Sequence, residues 1–329
     1  MGVGARVERR HARCLWVGAA GTTTAFGLIR SVRDGWGHAV HVTAADSNPP
    51  QLVAAGALAD AALQVPYTSD PAFPDLLVRE LGERATDTYV PIHDAEILLA
   101  ARMLAAGRLP KDLTLRAPSL AVAERCWDKL AMARWLHDAG LPTPATWDSA
   151  EAPWDPAGRF VKPRQGVGSV GARVVRDEAE FELLRGDDGL VVQELCSPPE
   201  VTIDVFAPRS GADVRVVCRE RIEVKTGVAT KARVYEDAES ADLAARLVGA
   251  LPLPGLSCFQ VMRDADGGWT ITDVNPRHGA GTRLGAAVGV DLIAADLAEL
   301  WGEDPARFLP PLNGERYVVR QWQEFVVEL

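Results

Sequence analysis

Short apolar runs alternate with amphipathic segments over the first third of the chain. Three of these runs have the length and composition of buried strands: 14–18, 39–46 and 88–92. Helical spacing follows the first run as far as Arg33, and it returns at about 73–82. This alternation predicts a parallel, doubly wound α/β sheet. Asp94 opens the next helical segment and is placed to cap it.

The pattern changes near residues 110–118. A helix is predicted from Ser119 to His137, and the glycine and prolines at 140–144 close it. The strands predicted beyond Phe160 are 190–194, 200–206, 214–225, 256–263 and 269–275, with one helix at about 238–250. These strands predict an α+β region built from antiparallel hairpins. We therefore expect three units, at residues 1–117, 118–193 and 194–329.

The composition narrows the class of protein. The chain has 329 residues and a net charge of −10, which argues against nucleic acid or an anionic membrane as the main partner. Its five cysteines are scattered without a CxxC pair, as is typical of reduced thiols in a cytoplasmic protein. No apolar run reaches the ~18 residues of a membrane span. The basic and then apolar start resembles a signal peptide, but a strand, loop and helix explains it better.

The most informative stretch is Phe160–Gly171. Lys162 ends an apolar run, and a loop with three glycines and a serine follows before a second extended run. Glycines let backbone N–H groups approach a phosphate closely, and the lysine adds a point charge. A Walker A loop is excluded because its lysine follows the glycines and opens a helix. The stretch predicts a hairpin over the phosphates of a nucleotide, and the alternative is a surface hairpin with a glycine-rich tip.

A second glycine-rich turn contains Gly18 and Gly21 after the first predicted strand. With Asp46 at the end of the second strand, it suggests a dinucleotide site in which the acidic residue contacts a ribose. The spacing departs from the GxGxxG fingerprint, and doubly wound folds also carry glycine at this turn for packing alone. Dinucleotide binding is therefore the minor alternative.

Two further segments are candidates for nucleotide contacts. The strand at 190–196 ends in backbone groups that can pair with an adenine edge. Glu200, seven residues after Gln193, can reach ribose hydroxyls, or it is an exposed strand start. The basic loop from Lys225 to Lys231 is suited to closing over phosphates or an acidic substrate, or it is a solvated surface loop.

The last predicted hairpin carries oxygen ligands. Asp273 and Asn275 share one face of their strand because side chains alternate, and Gln260 lies across the hairpin. Carboxylate and amide oxygens in this arrangement make a hard-oxygen site for Mg²⁺. Arg277, just beyond, could stabilise charge on a transferring phosphoryl group.

The order of these segments resembles the ATP-grasp superfamily, in particular its carbamoyl-phosphate-synthase-like carboxylate–amine ligases. The resemblance runs from Asp128-Lys129 to Arg277 and extends back through Val65-Pro66 and Pro91–Ile97, so it covers nearly the whole chain. It implies a doubly wound pre-ATP-grasp domain followed by a two-lobed α+β ATP-grasp domain. It also implies ATP and Mg²⁺, or alternatively Mn²⁺, as cofactors. The implied enzyme converts a carboxylate to an acyl phosphate with ATP, and an amine then forms an amide.

The resemblance implies roles for individual residues. The implied nucleotide ligands are Lys129, Lys162, Gly166, Gly168, Ser169, Gly171, Gln193, Glu194, Cys196 and Glu200. The implied metal ligands are Gln260, Asp273 and Asn275, and relatives usually have glutamate at the position of Asp273. Arg277 would steady the γ-phosphate and the acyl phosphate. Lys225 and Lys231 of the basic loop are further catalytic candidates.

The substrate-binding candidates are Arg283, His278, Asp94 and Glu96. We expect Arg283 or His278 to bind a substrate carboxylate, or to have a capping or surface role, and Asp94 and Glu96 to bind an amine. The expected partners are a small carboxylic acid and an amino-acid-like amine, and a homodimer is a further option. The alternatives are a small-acid kinase, a cyclase acting within one substrate, a non-catalytic ATP-binding regulator and an NAD(P)-dependent oxidoreductase.

Overall fold

The computed structural model describes residues 13–166, 170–211, 213–321 and 323–327. The first unit contains β1 (Arg13–Val17), α1 (Thr23–Trp36), β2 (Val40–Asp46), β3 (Ala61–Gln64), α2 (Phe73–Glu83), β4 (Thr88–Val90), α3 (Asp94–Ala105) and β5 (Thr114–Leu115). All its strands are parallel, in the order β3-β2-β1-β4-β5. The predicted doubly wound sheet is confirmed.

Strand β1 is apolar because both faces of the first sheet are covered. Leu15 and Val17 pack with Ile29 of α1 in one core, whereas Trp16 packs with Leu77 of α2 in another. A parallel sheet covered in this way buries its central strand completely. The structure thus confirms the strand and helix that the sequence predicts near the start of the chain.

The second unit contains α4 (Leu120–Trp127), α5 (Lys129–Asp138), β6 (Thr146–Asp148), β7 (Arg159–Pro163), β8 (Arg173–Val175), α6 (Glu178–Leu183) and β9 (Leu190–Gln193). Its four strands form an antiparallel sheet in the order β6-β9-β7-β8. Phe181 of α6 and Val161 of β7 belong to its small core. The glycine-rich loop connects β7 to β8, and residues 167–169 of this loop, including Gly168 and Ser169, lie outside the described residues.

The single helix predicted from Ser119 to His137 is wrong, because the chain is extended at Asp128. The Asp128 carboxylate accepts hydrogen bonds from the N–H groups of Leu130 and Ala131, at 3.0 and 3.1 Å, and so caps a separate helix. Arg164 holds the same carboxylate at 2.7 Å. The break places Lys129 at the first position of α5.

The third unit contains β10 (Ser197–Ala207), β11 (Arg215–Lys225), β12 (Val228–Tyr235), α7 (Ala238–Ala250), β13 (Gly255–Arg263), β14 (Trp269–Asn275), α8 (Arg283–Ala287), α9 (Leu292–Leu300) and β15 (Arg316–Val319). The strands form an antiparallel sheet in the order β14-β13-β10-β11-β12-β15. The flexible loop predicted at 225–231 is instead the tight turn of the β11–β12 hairpin, with positive φ at Thr226 and Gly227. Strand β15 has no counterpart among the sequence predictions.

The first and third units are packed together. One hydrophobic core joins Val17 of β1, Val217 of β11 and Ile293 of α9. Arg116, just after β5, donates a hydrogen bond of 2.5 Å to Asp296 of α9. The domain limits predicted between residues 117 and 118 and between residues 193 and 194 both fall between the sheets. As domain boundaries they remain predictions. Among the described residues, no helix combines the length and apolar character needed to cross a membrane.

Candidate active site

A cavity of about 440 Å³ lies where the three units meet. Its wall contains eleven of the predicted site residues: Asp94, Lys129, Lys162, Gly166, Gln193, Glu194, Cys196, Gln260, Asp273, Asn275 and Arg277. The first unit also contributes Thr22–Thr24 at the start of α1. The fold therefore gathers residues that are more than 180 positions apart in the chain, as Asp94 and Arg277 are.

Lys162 links the second unit to the hairpin that carries the predicted metal ligands. Its side chain is buried, and Nζ donates a hydrogen bond of 2.8 Å to the carbonyl of Thr272. The pairing of β13 with β14 is irregular at this point, between Gln260 and Val261. Burial lowers the pKa of Lys162 to about 8, and the nearby charge of Lys129 lowers it too, whereas Asp273 opposes the shift.

Lys129 reaches the base of the glycine-rich loop. Its Nζ donates a hydrogen bond of 2.9 Å to the carbonyl of Gly166, and its backbone N–H donates to Arg164. Gly166 and Gly171 both have positive φ, at 123° and 78°, which favours glycine over other residues. Gly171 itself lies outside the cavity wall, although Val170 and Ala172 beside it belong to the wall.

The predicted metal ligands face one another across the β13–β14 hairpin. Gln260 pairs in register with Asp273, and Asn275 donates a hydrogen bond of 2.8 Å from Nδ2 to Asp273. The set offers one carboxylate and two amide oxygens, all hard donors of the kind that Mg²⁺ takes. The residues present therefore fit a magnesium ion. Within the described ranges, no group of three or more His, Cys, Asp or Glu residues is placed to hold a metal.

Arg277 is held from the first unit. Its Nε and Nη2 donate to the two carboxylate oxygens of Asp94, at 2.6 and 3.1 Å. Arg116 donates a hydrogen bond of 3.4 Å to the carbonyl of Pro276, the residue just before. Asp94 therefore neutralises and orients Arg277, and the expectation that it binds an amine is not supported. The sequence predicted that Asp94 caps α3, but the residue that caps this helix is His93. The Nδ1 atom of His93 accepts a hydrogen bond from the backbone N–H of Ala95.

Glu96 is buried and lies outside the cavity wall. Its Oε1 accepts a hydrogen bond of 2.7 Å from the Tyr89 hydroxyl, and burial raises its pKa to about 7. A Cβ on Gly18 would stand 1.8 Å from the same oxygen, and the N–H of Gly21 donates to Asp46 at 2.7 Å. The protein's own carboxylates fill this turn, which favours the packing explanation of its glycines over a dinucleotide site.

The strand end expected to bind adenine forms one edge of the cavity. Gln193 is buried and donates from Nε2 to the hydroxyl of Thr146 at 2.8 Å, while the N–H of Glu194 donates to Ala145 at 3.0 Å. Burial raises the pKa of the Cys196 thiol to about 11, so the thiol stays protonated at neutral pH. These contacts fix the end of β9 against β6.

Three residues expected to contact ATP are placed differently. Glu200 is ion-paired with Arg221, and Arg221 belongs to the cavity wall whereas Glu200 does not. Lys225 and Lys231 both point to Glu223, with N–O distances of 3.5 and 2.9 Å. Residues 226–229 of this hairpin line the cavity in their place. The hairpin thus offers backbone and small side chains rather than the predicted lysine charges.

Neither predicted carboxylate anchor reaches the cavity. Arg283 is paired with Asp34 and with Asp291, the latter at 3.3 Å. His278 is buried, and burial together with the charges of Arg116 and Arg277 lowers its pKa to about 3. The imidazole is therefore neutral at physiological pH and cannot serve as a cationic anchor.

Arg219 and Arg221 of β11 line the cavity, and the sequence reasoning missed both. Arg219 is buried and donates to both carboxylate oxygens of Asp204 on β10. The sequence did contain a signal for this pair, since Arg219 and Asp204 each interrupt an apolar run in a predicted strand. Charges within buried strands mark either an ion pair or a polar site.

Comparison with known proteins agrees with this arrangement. Residues 126–281 match the family described as the ATP-grasp domain. An L-amino acid ligase from Bacillus licheniformis is similar with a TM-score of 0.72 at 17% identity, over 94% of this chain and 79% of that one. N5-carboxyaminoimidazole synthetase from Staphylococcus aureus gives 0.70 at 12% identity, over 91% and 79%. Biotin carboxylase from Campylobacter jejuni gives 0.70 at 15% identity, over 92% and 74%.

No curated protein is significantly similar in sequence to this chain. The structural neighbours share its fold at low identity, and the matched family covers the part of the cavity wall that runs from Cys126 to Gly281. The chain therefore carries an ATP-grasp domain behind a doubly wound domain, and the superfamily predicted from the order of its segments is confirmed.

Proposed function

We propose that the protein is an ATP-dependent carboxylate–amine ligase that works through an acyl phosphate and releases ADP and phosphate. One observation carries the proposal: buried Lys162, the oxygen ligands led by Asp273, and Arg277 converge on one cavity. The solved structures of similar fold include an L-amino acid ligase, which supports this class of reaction.

In the proposed reaction, the protein binds and orients two substrates and stabilises charge. The edge at 193–196 would hold the adenine, and Lys129 and Lys162 would hold the phosphates. Gln260, Asp273 and Asn275 would hold Mg²⁺, which offsets phosphate charge when bound. Positioning and charge stabilisation are the main requirements of phosphoryl transfer.

Arg277 would act on the transferring phosphoryl group. A carboxylate oxygen of the acid attacks the γ-phosphorus, and the bond to the β-phosphate oxygen breaks to release ADP. The amine then attacks the acyl carbon, phosphate leaves, and the nitrogen loses a proton. The guanidinium of Arg277, fixed by Asp94, needs little reorganisation as charge develops on these oxygens. Acyl phosphates hydrolyse, so a cavity set between the three units would protect the intermediate from water.

The proposal is tested by measuring ADP and phosphate release from Mg-ATP, with and without a pooled panel of amino acids and small acids. Hydroxylamine is added as a general acceptor that traps an acyl phosphate as a hydroxamate. ADP release with hydroxamate formation supports the ligase. AMP release would refute the acyl-phosphate route, and a stable phosphorylated acid without amide would favour the kinase alternative. ATP binding without turnover in any pool would favour the non-catalytic regulator.

Lys162 gives a pH-dependent prediction. Because its pKa is lowered to about 8, the ATP-free protein loses this positive charge as the pH rises through 8. We expect the Kd for Mg-ATP to rise about tenfold between pH 8 and pH 9.5, since only protonated Lys162 attracts the phosphates. Isothermal titration against pH measures this. Lys162→Met should bind weakly with a flat profile, and an equal slope in this variant would exclude Lys162 as the cause.

A further inference from the structure

Two guanidinium groups flank one short segment of the cavity wall, Gly279–Gly281. Arg219 lies on one side, where a Cβ on Gly281 would stand 1.9 Å from its Nη1 and a Cβ on Gly279 would stand 3.4 Å from its Nη2. Arg320, just after β15, lies behind the segment and donates a hydrogen bond of 2.7 Å to the carbonyl of Ala280. Arg219 and the segment both line the cavity, so this wall is backed by two cations.

The charges of this wall are not balanced. Arg219 is paired with Asp204, which also accepts a hydrogen bond of 2.7 Å from the Thr282 hydroxyl. Within the described part of the chain, Arg320 has no carboxylate partner, and its buried Nη1 makes no hydrogen bond. Burial and the neighbouring charge of Arg219 lower the pKa of Arg320 to about 10. A half-buried cation without a counter-ion is costly, which indicates that an anion on the cavity side of the wall completes the site.

The position of this wall separates it from the reacting centre. Asp204, which holds Arg219, pairs in register with Cys258 of β13, and Cys258 pairs with Asn275 of β14. Adjacent strands lie ~4.8 Å apart, so Asp204 stands roughly 10 Å from the predicted metal ligand Asn275. An anion on the Arg219 side of the wall thus lies about two strands from Asn275, which favours the second substrate over the carboxylate that is phosphorylated. It lies beside the segment that follows Arg277, on the side of the cavity that is left for the second substrate.

We infer that the wall formed by Arg219 and Gly279–Gly281, with the charge of Arg320 behind it, binds the carboxylate of the amine substrate, which is therefore an amino acid rather than ammonia or a neutral amine. The inference rests on the proposed ligase reaction. With its carboxylate against Arg219, an amino acid would direct its amine towards Arg277, where the acyl phosphate forms. The segment must stay free of side chains, because a Cβ at position 281 would collide with the Arg219 guanidinium. The site thus replaces the anchor that the sequence placed at Arg283 or His278.

Ligand binding to the full-length protein tests this inference. Thermal shift and calorimetric titration are carried out with Mg²⁺ and a non-hydrolysable ATP analogue, using a pool of amino acids and a matched pool of amino-acid amides. We expect the amino acids to bind at least about tenfold more tightly than the amides, as for the gain of a charge-assisted hydrogen bond. Arg320→Met should bring the two pools to within about twofold, whereas Arg320→Lys, which keeps the charge, should retain most of the preference.

A matched control and the stability of the variant separate recognition from folding. Arg316 is exposed on β15, four residues before Arg320, and among the described residues its guanidinium donates a hydrogen bond only to the carbonyl of Glu315, so Arg316→Met should keep the full preference. The melting temperature of ligand-free Arg320→Met should not fall, because the change removes an unbalanced, half-buried charge. Equal binding of both pools, binding of neither, or an unchanged preference in Arg320→Met would each overturn the inference. Hydroxamate and ADP formation report separately on the ligase reaction, so either proposal can fail alone.

Discussion

Asp273→Asn is expected to lower ATP-dependent turnover by about a thousandfold, because it removes the carboxylate from the predicted magnesium ligands. The remaining donors, Gln260 and Asn275, are neutral amides, and amide oxygens alone bind Mg²⁺ weakly. Loss of charge stabilisation at the phosphates is worth several kcal/mol of the barrier. ADP release at saturating ATP, measured over a range of Mg²⁺ concentrations, gives the size of the loss.

Binding measurements separate this effect from misfolding. The substitution keeps the size of the side chain, so we expect the melting temperature without metal to stay close to that of the wild type and the rise caused by Mg-ATP to disappear. Asp266→Asn, in the exposed turn of the same hairpin, is the matched control and should retain both activity and the metal-dependent rise. Asp273→Glu keeps the carboxylate and should recover part of the activity. Full activity in Asp273→Asn would show that the metal is held elsewhere.

The hairpin also shows what a local sequence pattern can predict. Side chains alternate along any strand, so the spacing of Asp273 and Asn275 fixed their common face before the fold was known. Only the length of the turn was needed to predict that Gln260 lies opposite Asp273, and the pairing register of β13 and β14 confirms this prediction. The same local logic identified β1, β2 and β4, three of the five strands of the doubly wound sheet, together with α1, α2 and α3.

Ion pairs between distant segments could not be predicted in this way. Arg283 carries the charge expected of an anchor, but its partner Asp34 is 249 positions away on α1. Lys225 and Lys231 looked like a mobile basic loop, yet their strands meet as a hairpin and both lysines face Glu223. Only the tertiary fold decides which opposite charge a cation finds, and so which cations stay available for a ligand.

The break at Asp128 is an intermediate case. Helical spacing continues through it, and propensity alone favours one long helix. Aspartate is also among the best N-cap residues, and here Arg164, just after β7, stabilises the capping conformation. The sequence contained the cap signal, but the arginine that makes it prevail comes from another part of the fold. The break matters for function because it directs Lys129 towards Gly166.

Arg277→Met is expected to reduce kcat by two to three orders of magnitude, roughly the loss seen when a donor to a developing oxyanion is removed. The Kd for ATP should change by less than about threefold, because the proposed role of Arg277 is in the transition state rather than in nucleotide binding. Rapid-quench measurement of ADP formation, together with calorimetric titration of ATP, separates the two quantities. A kcat within about threefold of the wild type would refute the role in phosphoryl transfer.

Asp94→Asn tests whether the first unit controls Arg277. The variant leaves a largely buried guanidinium without its counter-ion, which should cost on the order of 3 kcal/mol of unfolding free energy and lower kcat as Arg277 loses its orientation. The double variant Asp94→Asn/Arg277→Met should regain part of that stability but none of the activity. Glu124→Gln is the control, because it removes the exposed ion-pair partner of Arg102, which lies on α3 with Asp94. This variant should change neither the unfolding free energy nor kcat appreciably. Additive losses in the double variant would mean that the two side chains act independently, and the doubly wound unit would then have no part in aligning the charge at the phosphoryl group.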